Sequence, residues 1–202
     1  MIKTGNYFCR VASELRYVVR DYFSFTTRLV ERMEALKVGG GMEPGAELGP
    51  LVSDKALHDV RTLVDGAVGA GATAMTGGTP LDGPGHFYPA TVLTDVAPGS
   101  DILRQEIFGP VAPVVVFDDE DEAVRLANDT EYGLVAYVYT SDLAAGLRVT
   151  ERLEAGMVGL NRGLVSDPAA PFGGVKQSGI GREGGHEGML DYIELKYVAT
   201  NW

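Results

Sequence analysis

The sequence predicts an α/β protein, and three observations carry that prediction. From Val111 onward, strand-like and helix-like segments alternate with short connections, the pattern of parallel strands layered with helices. The run VAPVVVF at 111–117 is almost continuously apolar, which suits a strand covered on both faces. The chain has 202 residues, 45% hydrophobic and 22% charged, enough apolar material for a buried core and too much for a disordered chain.

The elements follow in order. Between Asp21 and Lys37, Tyr22, Phe25, Leu29, Met33 and Leu36 recur in steps of three and four, one stripe of a helix. Gly39, Gly40 and Gly41 end it. A second helix is expected from Ser53 to Gly69, with Ser53 as its N-cap and Leu57, Val60, Val64 and Val68 on one face. Residues 70–85, rich in Gly, Thr and Pro, read as a short strand within turns. Phe87 to Val96 is a strand candidate. The strand at Val111–Phe117 leads into a helix over Asp118–Asn128, whose opening acids suit the helix dipole. Leu134–Thr140 is strand-like, Ser141-Asp142 starts a helix ending near Glu154, and Met157–Leu160 is a short strand. Beyond Asn161 the chain reads as Gly-rich loop. The end, Tyr192 to Trp202, reads as an arm that pairs with something outside the core.

Composition narrows function. Seventeen basic against 28 acidic residues give a net charge of −11, which repels phosphate backbones and anionic lipid, and no Lys/Arg run offsets it. Neither a nucleic-acid nor a membrane partner is expected. No stretch approaches the ~18 apolar residues of a membrane span, and residues 1–19 make a poor signal peptide. A single Cys excludes an internal disulfide and a thiolate metal cluster and fits a reducing compartment; a cytoplasmic location is expected. His58, His86 and His186 are scattered, with no ligand spacing, so no metal is expected.

The segment APFGGVKQSGIGREGGHEG at 170–188 contains a literal G-x-G-x-x-G at Gly179, Gly181 and Gly184. A dinucleotide fingerprint follows a strand and opens a helix at the front of a βαβ unit. Too little chain follows Gly184 for that, so the fingerprint is rejected. The loop is either dense backbone packing or the lining of a site. Cys9 is the only soft nucleophile, and it reads either as a catalytic thiol or as a small buried hydrophobe. Glu106 stands before a buried strand, either solvated or placed to hydrogen-bond a polar ligand such as a ribose.

Five stretches together resemble the C-terminal half of the aldehyde dehydrogenase superfamily over about residues 20–202. They are GHFYPATVL at 85–93, EIFGPV at 106–111, NDTEYGL at 128–134, GMVGLN at 156–161 and PFGGVKQSG at 171–179. GLVSD at 163–167 with the following Gly-rich run looks most like the succinate-semialdehyde branch. The resemblance implies a three-layer, parallel-sheet catalytic domain over 25–188, a divergent segment over 1–24 and a C-terminal oligomerisation strand over 189–202. The family's N-terminal cofactor domain has no counterpart here.

The resemblance also implies chemistry. A Cys attacks an aldehyde, hydride passes to NAD or NADP, and water hydrolyses the thioester. Cys9 falls at the nucleophile position, Glu106 at the residue that holds the nicotinamide ribose, and Phe108 at the aromatic beside the nicotinamide. Phe172 matches a substrate-pocket aromatic. Ser166 and Lys3 match residues that contact the distal carboxylate of a semialdehyde. Around Cys9 the family pattern Asn-x-Gly-Gln-x-Cys is replaced by TGNYFC at 4–9.

Two function classes follow. One is a truncated NAD(P)-dependent semialdehyde dehydrogenase with little turnover alone, as part of a homo-oligomer or assembled with a full-length dehydrogenase. The other is a non-catalytic assembly module, or a pseudogene product, derived from such an enzyme. A third, weaker reading is an enzyme for a different aldehyde.

Overall fold

The computed structural model describes residues 2–5, 16–19 and 22–201, the first two segments by their backbone. Nine strands and five α-helices are described. They are β1 (Ile2–Gly5), β2 (Arg16–Val19), α1 (Tyr22–Glu34), α2 (Asp54–Gly69), β3 (Thr73–Thr76) and β4 (Thr91–Thr94), followed by β5 (Val111–Val116), α3 (Glu120–Asn128), β6 (Tyr132–Gly133), β7 (Val135–Val138), α4 (Leu143–Arg152), β8 (Met157–Leu160), β9 (Val175–Lys176) and α5 (Glu187–Leu190). Among the described residues no helix is long and apolar enough to cross a membrane.

Seven strands form one sheet in the order β3-β4-β5-β2-β1-β7-β8, and β6 pairs with β9 in a small second sheet. Strands β4, β5 and β2 are mutually parallel, as are β7 and β8. Strand β1 is antiparallel to both β2 and β7, so those two groups run the same way. The expected parallel sheet is therefore mixed, with β1 and the edge strand β3 reversed. The alternation after Val111 could not reveal this, because β1 and β2 come from far upstream and insert between β5 and β7.

Helices cover both faces, giving three layers. On β4, Leu93 meets Val60, Val64 and Ala67 of α2, while Val92 meets the α1 stripe Tyr22, Phe25, Leu29 and Met33. Adjacent strand residues point to opposite faces, so α1 and α2 lie on opposite sides. On β7, Ala136 and Val138 pack with α3 and α4, while Val135 and Tyr137 form a separate cluster with Met157. Following the pleat through the register places α3 and α4 on the α2 side.

The helix starts are set by side-chain caps. Ser53 Oγ accepts from Ala56 N, as its position predicted, and Asp119 and Asp142 cap α3 and α4 in the same way. The buried stripe of α2 is Val60, Val64 and Ala67, with Val68 exposed instead of buried; steps of four and three track the helical period better than two steps of four. The strand expected over Phe87–Val96 shrinks to Thr91–Thr94. Its first half is held in a turn clamp instead. Tyr88 Oη donates to Gly78 O at 2.9 Å, and Gly78 N donates to Thr91 Oγ1 at 2.9 Å. Residues 192–201 form no strand within the chain and are exposed.

Candidate functional site

Strands β4, β5, β2, β7 and β8 share one direction, so they begin at one edge of the sheet. That edge carries Glu106, Phe108 and Phe172. Gly5 ends β1 opposite Val135, the first residue of β7, and Arg16 opens β2 opposite Thr4. These are the described residues that bracket Cys9. Cys9 itself lies outside the described residues. Lys3 stands in register with Tyr17 and Tyr137; its side chain also lies outside the described part.

Glu106 and Phe108 occupy the entry to β5. Ile107 between them is buried in the cluster under α2, so its neighbours are turned outward. Glu106 is half-buried, and among the described residues its carboxylate makes no hydrogen bond. Phe108 is 64% exposed and sits at φ +47°, a left-handed conformation that costs a bulky residue of order 1–3 kcal/mol. The following backbone holds it there. A Cβ on Gly109 would fall 2.6 Å from Val60 Cγ2, so the chain is pressed against α2. Val111 N donates to Gly109 O and Thr91 N donates to Pro110 O, both at 2.8 Å. An aromatic ring held outward two residues from a carboxylate with no partner among the described residues offers a stacking face and an acceptor.

Phe172 and Val165 pack against Val135, Tyr137 and Met157 at the start of β7 and β8. Ser166, adjacent to Val165, is exposed. The loop carrying Phe172 is fixed by the last three sequence motifs, which converge in space. Phe172 and Glu183 exchange backbone hydrogen bonds of 2.6 and 2.8 Å. β6 pairs Tyr132 with Lys176 and Gly133 with Val175. Ser178 Oγ accepts from Gly133 N at 3.0 Å, and Gly156 N donates to Gly133 O at 2.9 Å.

Four polar residues that the sequence reading did not select hold this frame. Lys176 Nζ donates to Asn128 O at 2.9 Å and Thr130 O at 3.1 Å, and pairs with Glu154. Asn128 bridges to the end of α4 through Arg152 O and Glu154 N, both at 2.9 Å. Arg182 Nη1 donates to the carbonyls of Gly174, Ile180 and Gly181 at 2.7, 3.1 and 2.9 Å. The clue available in the sequence was the coincidence of a Lys and an Arg with a Gly-rich run, since exposed carbonyls in such a loop need donors. The loop is dense backbone: a Cβ on Gly173 would lie 2.2 Å from Gly181 O.

The residues fit a nicotinamide dinucleotide at one end. Glu106 and Phe108 supply an acceptor and an aromatic face at the entry to β5. The phosphates find no cradle at the capped helices, because the N-termini of α2, α3 and α4 are filled by Ser53, Asp119 and Asp142, and α3 adds acids in its first turn. Such starts repel anions. Among the described residues no group of three or more His, Cys, Asp and Glu is placed to hold a metal ion.

The sequence model described as "Aldehyde dehydrogenase family" matches residues 9–198. A succinate-semialdehyde dehydrogenase of Paenarthrobacter nicotinovorans is 52% identical over 185 residues, covering 91% of this chain and 41% of that protein. A glutarate-semialdehyde dehydrogenase of Pseudomonas putida is 43% identical, covering 92% and 39%. The crystal structure of succinate-semialdehyde dehydrogenase from Burkholderia pseudomallei matches with a TM-score of 0.88 at 47% identity, over 95% of this chain and 40% of that one. The chain thus spans about two fifths of the length of these relatives.

Proposed function

The chain belongs to the aldehyde dehydrogenase family, and from that premise we propose that it carries the catalytic half of an NAD(P)-dependent semialdehyde oxidation. The observation that supports this most directly is the shared edge of the sheet, where Glu106 and Phe108 stand at the entry to β5 and Phe172 at the start of β7 and β8. In this reading Cys9 attacks the aldehyde carbon and forms a thiohemiacetal. A nicotinamide cofactor, when bound, would supply the hydride acceptor for the thiohemiacetal carbon, and water would then cleave the resulting thioester to release the acid. Glu106 accepts hydrogen bonds from the nicotinamide ribose. Phe108 flanks the ring, which its outward, strained backbone favours.

Phe172 walls the substrate pocket, and Ser166 with Lys3 receives the far carboxylate of a four- or five-carbon semialdehyde. Relatives named for succinate and for glutarate semialdehyde support either length. Among the described residues the capped starts of α2, α3 and α4 offer the cofactor phosphates no cradle. Removing one oxyanion donor alone costs ~10²–10³ in rate. A soluble cytoplasmic setting with a small aldehyde as substrate accords with this reading.

The test is NAD(P)H formation from succinic and glutaric semialdehyde, with circular dichroism to confirm folding. The chain alone is expected to be folded and inactive. Mixed with the separately produced N-terminal portion of the Paenarthrobacter relative, it is expected to gain turnover that Cys9→Ala abolishes. A complex of the two that remains inactive, or turnover untouched by Cys9→Ala, overturns the reading.

A second reading, a non-catalytic assembly module, has its own observation. The tail exposes Tyr192, Leu195 and Tyr197 almost completely, at 90%, 99% and 90%. A stable complex with a full-length dehydrogenase, without added turnover, would support it.

A further inference from the structure

The sequence holds two Asp-Gly pairs, Asp65-Gly66 and Asp82-Gly83, and no Asn-Gly pair. An aspartyl carboxyl followed by Gly is open to attack by the next peptide nitrogen. Gly has no Cβ to block the approach, and it has the widest choice of backbone angles. The reaction then depends on whether the fold leaves the carboxyl and the nitrogen free to meet. The two pairs differ in that respect.

Asp65 and Gly66 lie inside α2. A helix-interior N–H is committed to the carbonyl four residues back, and Asp65 Oδ2 accepts from Arg61 Nε at 3.2 Å. Asp82 and Gly83 lie in the turn between β3 and β4, and both are exposed. Among the described residues neither the Asp82 carboxylate nor the Gly83 N–H has a hydrogen-bond partner. A Cβ on Gly83 would meet nothing within 4 Å, so the space beside its nitrogen is open. The turn is anchored outside the pair. Leu81 N donates to Phe87 O at 3.1 Å, and further out Tyr88 Oη donates to Gly78 O at 2.9 Å. The pair is therefore free to react while the sheet stays folded.

We infer that Asp82 is a self-modifying site, converting to isoaspartate through a cyclic imide in the native protein. Gly83 N bonds to Asp82 Cγ, its proton passes to solvent, and the carboxyl oxygen leaves as water. A second water then adds to the Asp82 backbone carbonyl carbon and breaks its bond to Gly83 N. The chain now runs through Cβ and Cγ, one backbone atom longer inside the turn that Leu81 and Phe87 close, with a free carboxylate on Cα. One water is lost and one regained, and nothing is oxidised or reduced. The exposed product is a substrate for an enzyme that methylates isoaspartyl carboxylates with S-adenosylmethionine. This inference does not depend on turnover of an aldehyde.

The experiment ages the full chain for weeks at neutral pH, native and in urea. A protease that cuts before Asp but not before isoaspartate, followed by mass spectrometry, reads each pair. Methyl transfer from labelled S-adenosylmethionine by an isoaspartyl methyltransferase counts the product. In the native chain Asp82 is expected to convert at least roughly tenfold faster than Asp65, because α2 must open before Asp65 reacts and the turn need not. In urea the two are expected to convert at comparable rates. Asp82→Glu keeps the charge but would need a larger ring. It is expected to remove methyl acceptance from the native chain, with circular dichroism unchanged. Three results would each overturn the inference. One is a native Asp82 that converts no faster than Asp65. Another is a rate difference that persists in urea, which would assign it to sequence neighbours instead of the fold. The third is methyl acceptance that survives in native Asp82→Glu.

Discussion

Lys176 and Glu154 form an ion pair with an Nζ–Oε2 distance of 2.5 Å, and the same ammonium donates to the carbonyls of Asn128 and Thr130. The two kinds of contact differ in worth. Glu154 is more than half exposed, at 57%, against 25% for Lys176, so the ion pair is screened and contributes under ~1 kcal/mol. Charge-assisted bonds to carbonyls shielded from water contribute ~1.5–3 kcal/mol. Lys176→Met is therefore expected to destabilise the fold by about 2 kcal/mol, and Glu154→Gln by well under 1 kcal/mol. Urea denaturation of both variants checks the order. Equal losses would show that the ion pair, and not the carbonyl bonds, fastens the loop.

Gly156 and Gly66 make an internal contrast. A Cβ on Gly156 would lie 2.0 Å from Gly173 O and 2.7 Å from Gly174 Cα. Both obstacles are backbone, in the loop that carries Phe172, so neither can swing aside. Gly156→Ala is expected to cost ~3 kcal/mol or more, or to push that loop off the start of β8. A Cβ on Gly66, inside α2, would meet nothing within 4 Å. Gly66→Ala is expected to stabilise by about 0.5–1 kcal/mol, because it removes unfolded-state entropy from a helix interior. Thermal melts of the pair decide it, and a neutral Gly156→Ala would contradict the packing described.

Much of this arrangement was legible in the residues, and the rest was hidden for definable reasons. Helical stripes such as Tyr22–Phe25–Leu29–Met33 and caps such as Ser53 are local, so periodicity and residue type reveal them. Met157–Leu160 was bounded correctly because Gly156 and Asn161 punctuate it. Long-range facts were not local. Nothing near Ile2 signals pairing with β7, more than a hundred residues downstream. The anchors Lys176, Asn128 and Arg182 read as ordinary surface polar residues until the fold brings their carbonyl partners together. Phe87–Val96 looked like one strand because its apolar content is continuous, whereas Tyr88 and Pro89 serve the Gly78 turn clamp.

Tyr88 gives the fold an alkaline limit. Its side chain is 1% exposed, and its hydroxyl donates to Gly78 O. Burial, the largest cause, and the nearby negative charge of Asp65 push its pKa well above the ordinary tyrosine value. A group whose folded pKa is raised contributes stability that is full below the unfolded pKa, about 10 for tyrosine. That contribution is lost as pH rises from there through the folded value. Stability is thus expected to decline above about pH 10 with a component that Tyr88→Phe removes. The same variant is expected to lose about 1 kcal/mol at neutral pH for the missing hydrogen bond. Denaturation midpoints at neutral pH and above the tyrosine range, for both proteins, check the two effects separately.

The tail and the core are energetically separable. Residues 192–201 are exposed, and among the described residues their backbone bonds reach back only to Met189 and Leu190. Leu195, Tyr197 and Val198 contribute apolar area with no cover from the rest of the chain. Such a segment adds nothing to the folded monomer but favours association, because apolar surface and unpaired strand groups are both left open. Truncation after Ile193 is expected to change the unfolding free energy by less than ~0.5 kcal/mol, as surface changes without partners do. It is also expected to shift the chain toward smaller species. Light scattering coupled to size exclusion, run beside urea denaturation, tests both halves of that expectation. A large loss of stability would place the tail in the core, and an unchanged mass would remove it from any interface.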